Sequence, residues 1–416
     1  MFYLKGRTEN LGGIQLCKSC NWVSLTITSL TSSYNLKKCG WAIAALLCGV
    51  LAPFTYGITE INKFPQTTVA ESAKFESARV AVYKFIDAND EPNTLIAIDK
   101  FIGEFKDNQE LPGIVYDFAA RVDRKNWYEP NRFTESIYKR IVDDFPKNSN
   151  AQRANLNIAR INITSLINFG DDANAFTHID KLIRDFNSCP DLPNAISQIS
   201  LKCYNDGLRM YHKGNIDKAK ENYQKSINVL EIIIHKLPLN DLMPQAYFQA
   251  AVLYSGYLGQ YQKGIEYFQK ILDDWPSSKY ALDAQFLIGV YYKELRDSGV
   301  LTPSKANPKI EQAYETFIKK YPDDGRAPFA ALELGHIKFM KEQWLEAVTY
   351  FKIYLANFPE QLESIISPLG QAYEEMGQKE NALELYRSFI KSPGAYRPML
   401  KAMIQARLET LEGQDK

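Results

Sequence analysis

Histidine is scarce in this 416-residue chain. His178, His212, His235 and His336 are scattered, and none has a Cys, His or carboxylate at metal-ligand spacing that stands out from surface charge. The sequence also lacks the glycine-rich phosphate loops of the Walker and Rossmann kinds, a Gly-x-Ser-x-Gly elbow and a His-Glu-x-x-His pair. Net charge is missing as well: 49 Lys and Arg stand against 49 Asp and Glu. Residues 1–59 hold five of the basic residues and one acidic one, so the remainder carries −4 and no basic face. Nucleic acid is therefore not an expected partner. The pairs Asp143-Asp144 and Asp273-Asp274 sit beside turn signals and read as solvated helix ends rather than calcium ligands. These absences point away from an enzyme, and no cofactor, metal or small-molecule substrate is expected.

Cysteine usage is thin. Cys17-Lys18-Ser19-Cys20 is a lone CxxC with no second pair at zinc spacing, and Asn21 in place of His excludes a c-type haem attachment signature. Cys189 and Cys203 flank Pro190-Asp191-Leu192-Pro193 and read either as a disulfide closing a short loop or as two buried thiols. Asn162-Ile163-Thr164 is a glycosylation sequon only in a eukaryotic host.

One long apolar run breaks the pattern. Residues 41–52 are uncharged, follow Lys37 and Lys38, and extend through Pro53, Phe54, Tyr56 and Ile58 to Glu60. The core has the length of a signal-peptide apolar region, and the whole segment is just long enough to span, at roughly 17 to 19 residues. Basic residues on its N-terminal side keep that side cytoplasmic and send the rest across. The chain thus reads as a tail (1–36), a signal anchor or signal peptide (37–58) and an exported remainder. That remainder is inner-membrane-anchored in the periplasm, or periplasmic or secreted after cleavage. Bulky Leu47 before Cys48 argues against lipidation there.

What is abundant is a returning phrase. Asp143-Asp144-Phe145-Pro146, Asp273-Asp274-Trp275-Pro276, Lys319-Lys320-Tyr321-Pro322 and Ala356-Asn357-Phe358-Pro359 each close an amphipathic stretch, and Arg184-Asp185-Phe186 is a copy without proline. Gly335 precedes Ala347, Phe351 and Pro359 by 12, 16 and 24 residues. Gly370 precedes Ala382 and Tyr386 by the same 12 and 16, a period of 35. A helix pair of this kind cannot bury its apolar face alone and must stack on copies of itself.

Less regular copies lie upstream. Gly289 and Tyr292 are followed by an insertion, Arg296 to Pro308, before Ile310, Tyr314, Phe317 and Pro322 resume. With Gly299, Pro303 and Pro308 it reads as a surface loop. Ala251 and Tyr254 pair with Gly264, Phe268, Ile271 and Pro276, with one extra residue assigned to the turn. Gly207, Gly214, Ala219 and Tyr223 form another copy, whose second helix runs on towards Pro238. Weaker copies end at Phe186, Pro146 and Phe105. About eight helix pairs are expected between residues 71 and 392, then a last helix from about Pro398.

The spacing of small residue, alanine, aromatic and proline resembles the tetratricopeptide repeat. The stretch from Trp275 to Tyr292 resembles the repeats of bacterial envelope proteins, namely the lipoprotein of the outer-membrane assembly machine and the coordinator of the Tol-Pal system. The resemblance implies an all-α, right-handed α-solenoid, with a degenerate lobe over 59–188 and a regular one over 189–416, hinged at Cys189 to Pro193. It also implies a concave face lined by the first helix of each pair, at positions three before, one after and four after the small residue. Those positions are Tyr204, Leu208 and Tyr211; Phe248, Val252 and Ser255; Phe286, Val290 and Lys293; Leu332, His336 and Phe339; and the polar Ser367, Gln371 and Glu374. The expected function is a scaffold whose groove binds peptide or helical segments of other proteins. Two alternatives stand beside it, an oligomeric spacer or cell-wall accessory and a regulatory subunit of an enzyme on another chain.

Overall fold

The protein is described by a computed structural model covering residues 69–125, 132–391 and 398–413. The expectations for the tail, the 37–58 segment, Cys17, Cys20 and Cys48 lie outside the described residues. Among those described, no helix is long and apolar enough to cross a membrane.

Sixteen α-helices form eight consecutive pairs. They are α1 (Val69–Asp87) with α2 (Glu91–Phe105), α3 (Leu111–Lys125) with α4 (Arg132–Asp144), α5 (Ser149–Asn168) with α6 (Asp172–Asp185), and α7 (Leu192–His212) with α8 (Ile216–Lys236). Then follow α9 (Met243–Val252) with α10 (Tyr261–Asp274), α11 (Ala281–Asp297) with α12 (Pro303–Lys320), α13 (Ala327–Met340) with α14 (Trp344–Asn357), and α15 (Ile366–Glu375) with α16 (Lys379–Lys391). A last helix, α17 (Pro398–Gly413), packs on α16. The described residues contain no strand, and the all-α repeat class stands as read. They divide between Ala246 and Tyr247 into two compact units.

Close approach explains the spacing of 12 and 16. A Cβ added to Gly335 would come within 2.6 Å of the Phe351 ring, and one on Gly207, Gly289 or Gly370 would collide with Tyr223, Tyr314 or Tyr386. Each aromatic sits against a bare stretch of the first helix and is buried there. Burying such a ring stabilises by roughly 2–3 kcal/mol relative to leaving it exposed. The first unit keeps the register without the glycine. Val82 precedes Thr94 and Ile98 by 12 and 16, Val122 precedes Thr134 and Tyr138, and Ile163 precedes Ala175 and Ile179. All nine are buried. A left-handed residue closes the turn inside most pairs: Asn89, Gly170, Gly214, Gly259, Gly299, Glu342 and Gly377. Such a residue lets the chain reverse and satisfies the last carbonyls of the first helix.

Two readings of the sequence need correction. The insertion is not a loop: α11 runs to Asp297, α12 starts at Pro303, and Pro308 lies inside it. Ala306, Ile310 and Tyr314 are all buried at helical spacing, which outweighs the hydrogen bond Pro308 cannot donate. The extra residue between Ala251 and Gly264 is not in the turn either. It is absorbed as a π-helical turn over Leu253–Tyr257, after which the Leu258–Gln260 connection is as short as its neighbours.

In the first unit, contacts join α5 and α6 to α7 and α8 across residues 189–193. The Arg153 guanidinium meets Asp191, Lys202 Nζ donates to Asn168 (2.6 Å), and Lys225 and Lys236 pair with Asp172 (2.8 Å) and Asp180 (2.6 Å). Cys189 and Cys203 are buried free thiols, and burial pushes the Cys203 thiol up to about 12.

Candidate functional site

In the second unit, α9, α11 and α13 carry the residues expected to line that face. Phe248, Val252, Phe286, Val290, Leu332, His336 and Phe339 are all half-buried: each spends part of its surface on helix packing and keeps part in solvent. Phe248 sits between the rings of Phe268 (5.6 Å) and Tyr280 (5.1 Å). Phe286 leans on Phe317 (5.1 Å) and Tyr314 (5.6 Å), with the Arg326 guanidinium 5.1 Å above it. Arg326 is itself held by Asp324 and Asp283, the latter at 2.7 Å. These two aromatics therefore anchor the helix pairs as well as lining the face.

Phe339 packs edge-on against Trp344 (5.3 Å), and His336 does the same against Phe351 (5.2 Å). Burial holds the His336 imidazole below its ordinary pKa; Glu333 pulls it back up, and Arg296 and Lys293 push it further down. The ring is thus neutral and part of an apolar wall. Val252 and Val290 complete the row on α9 and α11.

Ser255 is not on that face. The π-helical turn rotates it into the α9–α10 interface, where it is 1% exposed and its hydroxyl has no hydrogen-bond partner. Towards the last pair the face turns polar. Ser367 is exposed and Gln371 half-buried, while Glu374 accepts from the Tyr386 hydroxyl (2.7 Å) and pairs with Arg407 (2.8 Å). Lys293 is tied to Asp297 (2.5 Å).

The remaining predicted residues belong to the first unit. Tyr204, Leu208 and Tyr211 lie half-buried along α7. Tyr204 lies against the Tyr223 ring (6.0 Å) and Tyr211 edge-on to His212 (6.0 Å). Ahead of α7, polar groups link first helix to first helix, which the sequence reading did not anticipate. Arg121 reaches Asp87 (2.9 Å), Arg160 meets Asp123 (2.5 Å), and Asn157 donates to the Tyr116 hydroxyl (3.0 Å). The Arg153 guanidinium stacks on the Tyr116 ring (4.3 Å). The available signal was an Asp followed 34 or 37 residues later by Arg, as in Asp87–Arg121 and Asp123–Arg160. An open cleft of ≈ 420 Å³ beside this ladder is lined by Glu110, Tyr116, Asp117, Asn150 and Arg153. Among the described residues, no group of histidine, cysteine and carboxylates could hold a metal.

Consecutive helix pairs that keep one register of 12 and 16 residues, four of them closed by an aromatic against a glycine, define the class as an α-helical repeat protein. Residues 245–278 and 369–394 match the tetratricopeptide repeat, and the chain carries that repeat in α9–α10 and α15–α16. Repeats of this family are interaction scaffolds for other proteins. No curated protein matches the chain in sequence. Three solved structures are similar to it. One is PilW, a widely conserved type IV pilus biogenesis factor, at 16% identity over 60% of this chain and 98% of that one, with a TM-score of 0.34. Another is the C-terminal part of a repeat-containing protein from Cytophaga hutchinsonii, at 15% over 68% and 95%, with a TM-score of 0.39. The third is a tetratricopeptide repeat protein from Parabacteroides merdae, at 15% over 63% and 91%, with a TM-score of 0.30. Likeness at this level does not extend to function.

Proposed function

We propose that the chain is a non-catalytic scaffold of the bacterial cell envelope that receives an extended or helical segment of a partner protein along the first helices of its second unit. The observation that carries this reading is the row of half-buried apolar side chains on α9, α11 and α13, from Phe248 to Phe339. Half-buried aromatic and aliphatic side chains on rigid helices are the usual anchors of peptide recognition, because little rotamer freedom remains to be lost on binding. Tyr204, Leu208 and Tyr211 on α7 offer a second row of the same kind. The envelope assignment rests on the 37–58 segment and its preceding lysines, which would tether the repeats outside the cytoplasm or release them after cleavage.

The test uses members of the row other than Phe248 and Phe286, whose rings are wedged against the second helices. Val252→Asn, Val290→Asn and Phe339→Ser together should abolish pulldown of partners from envelope extracts while helicity at the assay temperature is retained, with a lowered thermal midpoint because all three also pack between helices. Undiminished pulldown by the triple variant would remove the groove from the account. Export is tested separately with reporter fusions after Ile58 and after Lys416 and by sequencing the mature N-terminus. A reporter that remains cytoplasmic would leave a scaffold of another compartment.

A further inference from the structure

One face of α5 escapes the packing that its counterparts undergo. Asn162 and Asn155 precede Ile163, which stands in the place of the glycine, by one and eight residues. In the first of those places α7, α11 and α13 carry Asp206, Ile288 and Leu334, and in the second Ile199, Ala281 and Ala327, all buried. Asn155 and Asn162 are exposed, as is Gln152, and none of the three shares its carboxamide with another described residue. Gln152, Asn155, Ile158, Ala159 and Asn162 fall within about 120° of the helix circumference, so they form a single stripe. That stripe lines an open cleft of ≈ 500 Å³, which Pro146, after α4, and Phe186, after α6, also line. The volume is that of a small-ligand site, and no charged side chain lines it.

This lining rules out several classes of ligand. Without a cation or a carboxylate it offers nothing to a phosphate, an acidic tail or a basic side chain. A helical segment has its backbone already bonded and would cover the carboxamides with their hydrogen bonds unmade. An extended peptide presents its amides to one side about every 6.4–6.8 Å. Gln152, Asn155 and Asn162 are instead spaced by about 4.5 and 10.5 Å along the helix axis, which makes no ladder for a main chain. A neutral molecule dense in hydroxyls meets none of these objections. A carboxamide both donates and accepts, so it bonds two neighbouring hydroxyls of a sugar ring at once. The half-buried Phe186 ring and the Pro146 and Ile158 side chains offer apolar surface to the C–H faces of the same rings.

We propose that this cleft binds a neutral oligosaccharide, held by Gln152, Asn155 and Asn162 and packed against Phe186. The proposal is independent of the peptide-binding row on α9, α11 and α13. The cleft is open and its contacts are few, so a dissociation constant on the order of 0.1–1 mM is expected.

Isothermal titration of the full chain, in a detergent without a sugar headgroup, tests this with two probes, tri-N-acetylchitotriose and maltotriose. One of them should bind in the stated range, and which one does distinguishes an acetamido sugar from a plain glucan as the source. Asn155→Ala/Asn162→Ala should weaken that binding about tenfold or more. Both sites are exposed and alanine is the better helix former, so the melting temperature should not fall. Asn155→Asp keeps the shape but removes the donor, and should weaken binding about threefold or more. No heat of binding from either trisaccharide up to about 10 mM would overturn the proposal. A trisaccharide bound equally well by the double alanine variant would do the same.

Discussion

The two units solve one packing problem with different anchors. In the second, Gly289, Gly335 and Gly370 bring first and second helices so close that a tyrosine or phenylalanine replaces the missing side chain. In the first, Val82, Val122 and Ile163 hold the same register, and Gly207 alone matches the later pattern. Contacts between pairs differ too. First helices touch one another through α1, α3, α5 and α7, cross-linked by Arg121–Asp87 and Arg160–Asp123. In the second unit the recurring contact runs from each second helix to the next first helix, α10 to α11, α12 to α13 and α14 to α15. The difference teaches where a ligand face can exist. Polar ladders occupy the first-helix surface ahead of α7, whereas apolar side chains remain partly open on α9, α11 and α13.

The comparison is broken most severely at the anchors. Phe351→Ala should cost about 3–5 kcal/mol in denaturant unfolding, because it empties a fully buried site beside a glycine that cannot fill it. Gly335→Val should cost about 1–3 kcal/mol or more through overpacking, yet Val122→Gly should also destabilise, by about 2–3 kcal/mol, through lost burial and helix propensity. Anchors that proved exchangeable would mean that helix separation is the same in both units.

Next in size comes the polar ladder. Arg160→Met should lower stability by about 2 kcal/mol, since the Arg160 side chain is 8% exposed and Asp123, at 20%, would lose its cation. Adding Asp123→Asn should recover part of that loss, a coupling readable in a double-mutant cycle.

Acid should act on the second unit through His336. Its folded-state pKa lies below the ordinary 6.5, so the unfolded chain binds the proton more readily. Stability is therefore full above about 6.5 and declines as the pH falls below it. His336→Gln should flatten that decline in a pH series of thermal midpoints. An unchanged acid limb would mean that other groups carry it.

The smallest effect belongs to a turn. Glu342 adopts a left-handed φ of 58° where the neighbouring pairs have Gly299 and Gly377. Glu342→Gly should stabilise by about 0.5–1 kcal/mol, measured as a rise in melting temperature.

Helix pairs were legible wherever a small residue, an alanine and an aromatic recur at fixed spacing, since that pattern states which atoms must touch. The limits of α8 and α17 followed from Pro238 and Pro398, which punctuate the chain. The insertion misled because local punctuation at Gly299, Pro303 and Pro308 argued for a loop, while burial of Ala306 and Ile310 carried the helix through. Ser255 misled for a related reason. A one-residue excess can be absorbed in a turn or in a helix, and spacing alone does not distinguish them.

By itself, the sequence determined the repeat, its count, the all-α class and the apolar character of the first helices, because each follows from periodicity and from which side chains cannot remain in water. Only the tertiary structure decided which face each side chain shares. The π-helical turn that buries Ser255 and the ladder of Arg160 and Asp123 both depend on contacts between neighbouring helices. Those contacts have no local signature, since any one of them could be exchanged for another without changing the period of the repeat.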